Sequence, residues 1–328
     1  MAEIRENINK SGKILKVKKV KKNKKITWKM IKSQKELMFM SVPFLVYIAV
    51  FAYAPIWGWL MAFQNYKPGV DFFHQTWVGL AQFKSLFSYM GFIQVLRNTV
   101  AMSLINLVLG MACPIILALL LNEIKSTFFK RTVQTISYLP HFLSWIIATG
   151  IIADVLSTDP AIGIINNLLM QLHFISKPIL FLGIPKMFWG IVGVSTVWKE
   201  VGWGTIIYLS AISSIDPALY EAAEIDGAGR FQKMRHITLT GIKATIIILL
   251  IMNIGHILDA GFEIQYFLGN GLVSDYSKTI DIFVLDYGIN QFNYSLATAA
   301  GIFKSAVSIT MLLLANFISG KVSDEKLI

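Results

Sequence analysis

Charge is what this sequence has least of. Only 15% of its 328 residues are Asp, Glu, Lys or Arg, while 55% are hydrophobic; an average soluble domain is about 25% charged. That balance excludes a disordered chain, which needs low hydrophobicity and high charge. It also argues against an ordinary soluble enzyme, because a fold this apolar cannot cover its own surface with polar groups. Lipid is the remaining cover. Cysteine occurs once, at Cys113, which excludes a disulfide within the chain and a cysteine-based metal site. The five histidines are scattered and none forms a His-Glu-x-x-His pattern, so no metal site is expected. There is no Gly-x4-Gly-Lys-Ser/Thr phosphate loop either, so ATP, if it drives this chain, must bind another polypeptide.

The charge that is present is unevenly placed. Thirteen of the 30 Lys and Arg residues fall in residues 1–35, against Glu3 and Glu6 alone. A nucleic-acid tail is one reading of such an arm. The better one is topological, because the arm runs straight into an apolar run and Lys/Arg beside a first span hold that end in the cytoplasm. The run beginning at Leu37 is too long for a signal peptide's apolar region, and no small-residue cleavage site follows it.

About 20 apolar residues cross ~30 Å of hydrocarbon, and six segments qualify: 37–63, 95–121, 135–156, 187–212, 242–262 and 296–319. The expected fold is therefore all-α, a polytopic membrane bundle of six transmembrane helices. A basic cytoplasmic arm (1–36), a membrane domain (37–319) and a short tail (320–328) make up the chain. With both termini inside, the inner segments carry 22 Lys and Arg and the outer ones six, in the sense of the positive-inside rule. The outer loops are long and contain apolar patches, and residues 161–172 read as a short amphipathic helix on the outer face.

One inner connection is longer than the rest, residues 213–241. Asp216-Pro217 is a helix start, an N-cap acceptor followed by proline at the first helical position. Good helix formers follow to Ile225, and Gly227 stands where a left-handed C-cap would end the helix. A second short helix, 230–237, feeds the fifth span. Small Ala222 and Ala223 flanked by Glu221 and Glu224 suit insertion into a partner's groove; a passive helix lying on the bilayer surface is the alternative.

Glu221-Ala222-Ala223, then Gly227, then Ile237 and Leu239 resemble the EAA loop of permease subunits of binding-protein-dependent ABC importers. The longer string Glu-Ala-Ala-Glu-Ile-Asp-Gly-Ala-Gly is similar to the carbohydrate-uptake branch, the maltose and glycerol-phosphate permease type. Further similarity lies in Trp77-Val78-Gly79-Leu80 and Phe83, in Arg97-Asn98-Thr99, in Gly261-Phe262-Glu263 and in 297–305. It points to permeases for complex oligosaccharides or polysaccharide fragments. Thr240 and Ala244 stand where that family commonly has proline. The resemblance implies a type I ABC importer permease fold and a coupling helix carrying Glu221, Ala222, Ala223, Asp226 and Gly227. It implies a second homologous permease subunit, two copies of a cytoplasmic ABC ATPase holding ATP and magnesium, and an extracellular solute-binding protein, expected as a lipoprotein. The membrane would be the bacterial plasma membrane, no cofactor would bind this chain, and no nucleic acid is expected.

Polar groups inside spans are the other signal, since a charge at the bilayer centre costs at least ~2.5–3.5 kcal/mol and so finds a partner or a wet cavity. Lys199 and Glu200 lie deep in the fourth segment and Lys304 near the middle of the sixth. One reading is a Glu200–Lys304 ion pair between spans; the other is that these residues line a substrate path, with Trp198 and Trp203 offering faces for sugar rings. If both lysines line the path, an acidic sugar is favoured. Asn253, His256 and Asp259, three residues apart, share one face of a helix and point to the bundle interior as path lining or as helix–helix contacts. Two other functions remain open at this point: a proton-coupled secondary sugar carrier using His256 and Asp259, and a membrane enzyme acting on lipid-linked sugar through Asp281 and Asp286.

Overall fold

A computed structural model describes residues 34–322; most of the basic arm and most of the short tail lie outside the described residues. The chain divides into two compact units, one ending at Trp57 and one beginning at Gly58.

Helix α1 is α-helical over Lys35–Ile48 and continues as a π turn (Ala49–Tyr53) and a 3-10 stretch (Ala54–Phe63). In the second unit, β1 (Gln64–Asn65) and β2 (Thr76–Trp77) form a two-residue antiparallel ribbon. α2 (Ala81–Ser88) and α3 (Met90–Glu123) follow. Next come α4 (Thr127–Tyr138), α5 (Trp145–Val155) and α6 (Ile164–Gln171), the last matching the expected short helix. α7 (Pro185–Ser213), α8 (Pro217–Ile225), α9 (Arg230–Gly241) and α10 (Lys243–Gly255) carry the chain through the long connection. Then α11 (Phe262–Leu268), α12 (Ser274–Ser277), α13 (Ile280–Leu285) and α14 (Tyr294–Val322) complete it.

Among the described residues three helices are long and apolar enough to cross a bilayer, Lys35–Phe63, Met90–Glu123 and Tyr294–Lys321, or up to five if each of two bent pairs counts as one crossing. The expected third and fifth spans are these bent pairs. α4 and its 3-10 extension (Leu139–Phe142) meet α5 at 107°, and α9 meets α10 at 58°. Pro140 explains the first break, because it has no N–H to donate to the preceding turn. Ser144 then restarts the helix, its Oγ accepting from Ile147 N at 3.3 Å. The expected fourth span falls on α7, whose 29 residues reach about 43 Å at ~1.5 Å per residue but which is not among the helices apolar enough to cross.

The core of the second unit is built along α3 in three layers. Phe92 and Val95 pack with Leu258, Ile280 and Phe283. Met102 packs with Phe188, Val192 and Ile264. Ala118 packs with Tyr208, Ile212 and Ile242. Apolar attraction is weak between helices already surrounded by lipid, so close approach through small residues does the holding. α7 supplies them. A Cβ on Gly193 would stand 2.8 Å from Ile105 of α3, one on Gly204 would stand 3.0 Å from the Pro114 ring, and one on Gly202 would stand 2.1 Å from the Ser137 carbonyl oxygen of α4.

Gly202→Leu therefore cannot be accommodated without parting α4 from α7, at a cost of about 3 kcal/mol or more. Gly190→Ala, on the same helix with nothing within 4 Å, should be neutral. Size-exclusion of the detergent-solubilised variants checks this: the Gly202 variant should lose its monodisperse peak and the Gly190 variant should keep it.

Candidate functional site

The long connection folds as a capped helical corner. Asp216 Oδ1 accepts from Ala218 N at 2.9 Å, closing the start of α8. At the other end Gly227 has φ +77°, and two carbonyls find partners: Gly227 N donates to Glu224 O at 3.0 Å and Ala228 N to Ala223 O at 2.8 Å. This is the Schellman pattern, which needs a residue free to adopt positive φ. Gly229 N donates to Gln232 Oε1 at 2.8 Å and starts α9. Lys233 Nζ donates to Glu224 Oε1 at 2.5 Å, and this ammonium holds the Glu224 carboxyl below the usual carboxylate range. The clamp is thus fully charged at neutral pH and weakens only as pH falls through the lowered carboxylate range.

The expected coupling residues divide by facing. Tyr220 and Ala223 turn toward α9, with the Tyr220 hydroxyl 2.9 Å from Thr238 Oγ1. Glu221, Ala222, Asp226 and Gly227 are exposed. Around them stand large apolar side chains in the open: Leu219 is 54%, Phe231 71% and Ile225 87% exposed. A helix ridge with a small residue at its centre and uncovered apolar neighbours is shaped to enter a groove.

Within the bundle the charges pair differently from the sequence expectation. Glu200 does not meet Lys304. Lys199, almost wholly buried, donates from Nζ to Glu200 Oε1 at 3.0 Å and to the His141 carbonyl at 2.9 Å, 5.0 Å from the Trp145 ring centre. Glu200 Oε2 lies 2.6 Å from His141 Nδ1, and the His141 ring stacks on Trp203 at 4.5 Å and 4°. The charges of α7 therefore fasten the broken Pro140 turn. Lys304 of α14 instead reaches Asp281 of α13, at 2.7 and 2.9 Å, and also Asp259. Asp259 Oδ2 lies 3.1 Å from His256 Nδ1. Each lysine is thus answered by a carboxylate of its own chain.

The Asn253, His256, Asp259 face is also altered. α10 ends at Gly255, so helical spacing stops applying before the third residue. Asn253 donates to Leu249 O at 2.9 Å within its own helix. All three are exposed on this chain, His256 at 74%, so they face away from its interior. The two tryptophans separate as well. Trp203 joins the His141 cluster, whereas Trp198 lines an apolar groove of about 680 Å³ with Ile151, Ile191 and Val194. Sequence reasoning missed two partners, His141 and Asp281. Each is far in sequence from the charge it answers, and the only signal was that each is itself an ionisable group in or next to an apolar segment.

Residues 110–324 match the family model described as binding-protein-dependent transport system inner membrane component. The chain is 42% identical to protein LplB of Bacillus subtilis (strain 168), covering 93% of this chain and 95% of that one. It is 41% identical to the polygalacturonan/rhamnogalacturonan transport system permease protein YteP of the same organism, covering 94% of each. Among solved structures it resembles a chain of a bacterial alginate ABC transporter in complex with an alginate pentasaccharide-bound periplasmic protein. The TM-score is 0.84 at 37% identity, over 92% of this chain and 99% of that one.

Removing one partner of the α7 cluster exposes its dependence on pairing. Lys199→Met leaves the Glu200 carboxylate with less compensation and should destabilise the purified protein by about 2–4 kcal/mol. Adding Glu200→Gln should restore most of the loss. Thermal unfolding of the two variants beside the unmodified protein measures this; no recovery in the double variant would contradict the pairing.

Proposed function

The chain belongs to the inner membrane components of binding-protein-dependent transport systems, and from that membership we propose that it is a sugar-importing permease subunit driven by a separate ABC ATPase. The observation that carries the reading is the capped α8–α9 corner, with Glu221 and Ala222 outward and apolar Leu219, Ile225 and Phe231 uncovered. Such a surface suits a protein partner, and the absence of a phosphate loop from the sequence supports nucleotide chemistry on that partner. Glu221, Ala222, Ala223, Asp226 and Gly227 form the docking element. Ala223 and Gly227 act by shaping the corner rather than by contact.

In this reading six crossings, α7 being the fourth, put both termini in the cytoplasm and the α8–α9 corner on the inner face. Two homologous permease subunits sit on two ATPase copies that hold ATP and magnesium, and an extracellular binding protein delivers the cargo. Closure of the ATPase pair draws the corners together, and the helices rotate as rigid bodies to open the path. The path is assigned to the polar face offered by Glu200, Trp203, Asn253, His256 and Asp259. Trp203 leaves one ring face free of His141 for a sugar ring, while Lys199 and Lys304 act by holding their neighbours. Trp198, in its apolar groove, faces helix or lipid. The cargo class is an oligosaccharide or polysaccharide fragment, supported by relatives whose names specify polygalacturonan/rhamnogalacturonan transport and an alginate transporter.

A Glu221→Lys, Gly227→Pro double variant tests the docking element. It reverses the outward charge and denies the corner the positive φ it uses, so the protein should insert at normal abundance while ATP-dependent uptake falls at least tenfold. Uptake at the unmodified rate, measured in cells or in vesicles reconstituted with the whole complex, would refute the assignment.

A further inference from the structure

The segment between α11 and α14 holds a second polar site. Its frame is rigid. Asn98, fully buried, donates from Nδ2 to the carbonyls of Asp275 and Lys278, both at 3.0 Å. Thr99 Oγ1 accepts from Ile280 N at 2.9 Å. Arg97 donates to Asp275 O at 2.7 Å and lies 5.0 Å from the Tyr276 ring centre and 5.7 Å from that of Trp189. The Arg97-Asn98-Thr99 triplet thus pins α12 and the start of α13 onto α3.

Between the pinned segment and the α2–α3 junction lies a cavity of about 170 Å³. Several times the ~30 Å³ of a liquid water, it admits a group the size of one sugar ring. Its aromatic wall is Tyr89, Phe283 and Tyr287, with Phe283 and Tyr287 stacked at 4.3 Å and Tyr89 edge-on to Tyr287 at 5.7 Å. Its polar wall is Gln94, Asp275, Lys278 and Asp286, with Lys278 Nζ 3.5 Å from Asp286 Oδ2. Burial, with Tyr89 and Asp286 adding to it, pushes the Tyr287 phenol up to about 12, so it remains a hydroxyl donor at every physiological pH. An aromatic wall receives the C–H face of a pyranose, while a carboxamide, carboxylates and an ammonium answer its ring of hydroxyls. A ring-lined wall with a few convergent polar groups is the usual make-up of a small-molecule site.

We propose that this cavity is a carbohydrate subsite at the outer end of the permease, holding one sugar ring of the incoming chain before it enters the path. The proposal rests on the reading of the chain as a sugar permease with the α11–α14 segment outside.

The test uses the complete transporter in intact cells with Cys113→Ser as background. Gln94→Cys is labelled by a membrane-impermeant maleimide with and without an oligogalacturonide digest or alginate pentasaccharide. Ser85→Cys, exposed and outside the cavity, is the control. The subsite predicts labelling from outside at position 94, slowed at least threefold by whichever probe is taken up, with the control unchanged. A companion Tyr287→Leu variant should raise the KM of uptake at least fivefold while sparing maximal rate. No labelling from outside, no protection by a transported probe, or protection by the binding protein without sugar would each overturn the subsite while leaving transport intact. Failure of the unmodified complex to take up either probe would instead remove the cargo reading on which the subsite stands.

Discussion

A bilayer offers no water to answer a charge, and the architecture of this chain follows from how it answers its own. Lys199 and Lys304 stand in helices that are otherwise apolar. Lys199 pairs with the adjacent Glu200 and reaches the His141 carbonyl at the α4–α5 break, and Lys304 pairs with Asp281 of α13 and with Asp259 beyond the end of α10. Lys199 and Glu200 hold the Pro140 turn between α4 and α5. Lys304 holds Asp259 in the non-helical stretch after α10. Irregular backbone at membrane depth persists only where protein supplies its hydrogen bonds, and Asn106 and Gln265 add donors to the Ala260 carbonyl in that same stretch. The charges of α7 and α14 thus reach the places where neighbouring helices break.

The same economy governs the α8–α9 corner. Two residues, Ser214 and Ile215, separate α7 from the Asp216 cap of α8. Tyr220 ties α8 to buried Thr238, and Gly241 lies so close to Ile215 that a Cβ there would stand 2.6 Å from its Cδ1. A force applied to α8 therefore passes into α7 and α10 through packed contacts rather than through a hinge. That is the mechanical property a rigid-body rocking mechanism needs, and it accounts for the use of glycine at one corner and of a buried threonine at the other.

Local rules read the sequence well where the determinant is local. Asp216-Pro217, Gly227 and the apolar runs specify their helices from within a few residues, so the corner, its caps and the long helices were legible. The Pro140 break was visible as a proline but its 107° turn was not, because the contacts that meet it, Lys199 and Glu200 of α7, lie about 60 residues away. The Asn253, His256, Asp259 spacing was read as helical throughout, whereas helical periodicity holds only while the helix lasts, and α10 stops at Gly255. Ion pairing was the least legible feature. A lysine in an apolar run announces that it needs a partner, but nothing in the sequence ranks Glu200 below Asp281, 23 residues from Lys304 and itself next to a loop.

What remains uncovered on this chain is as informative as what is buried. His256 and Asp259 are more than half exposed although they lie at the end of an apolar helix and Asp259 holds Lys304. Lipid cannot cover an imidazole–carboxylate pair at that depth without a cost of several kcal/mol. A water-filled path or the polar face of another subunit can. A single copy of the chain thus leaves an ion pair whose solvation calls for water or protein rather than lipid.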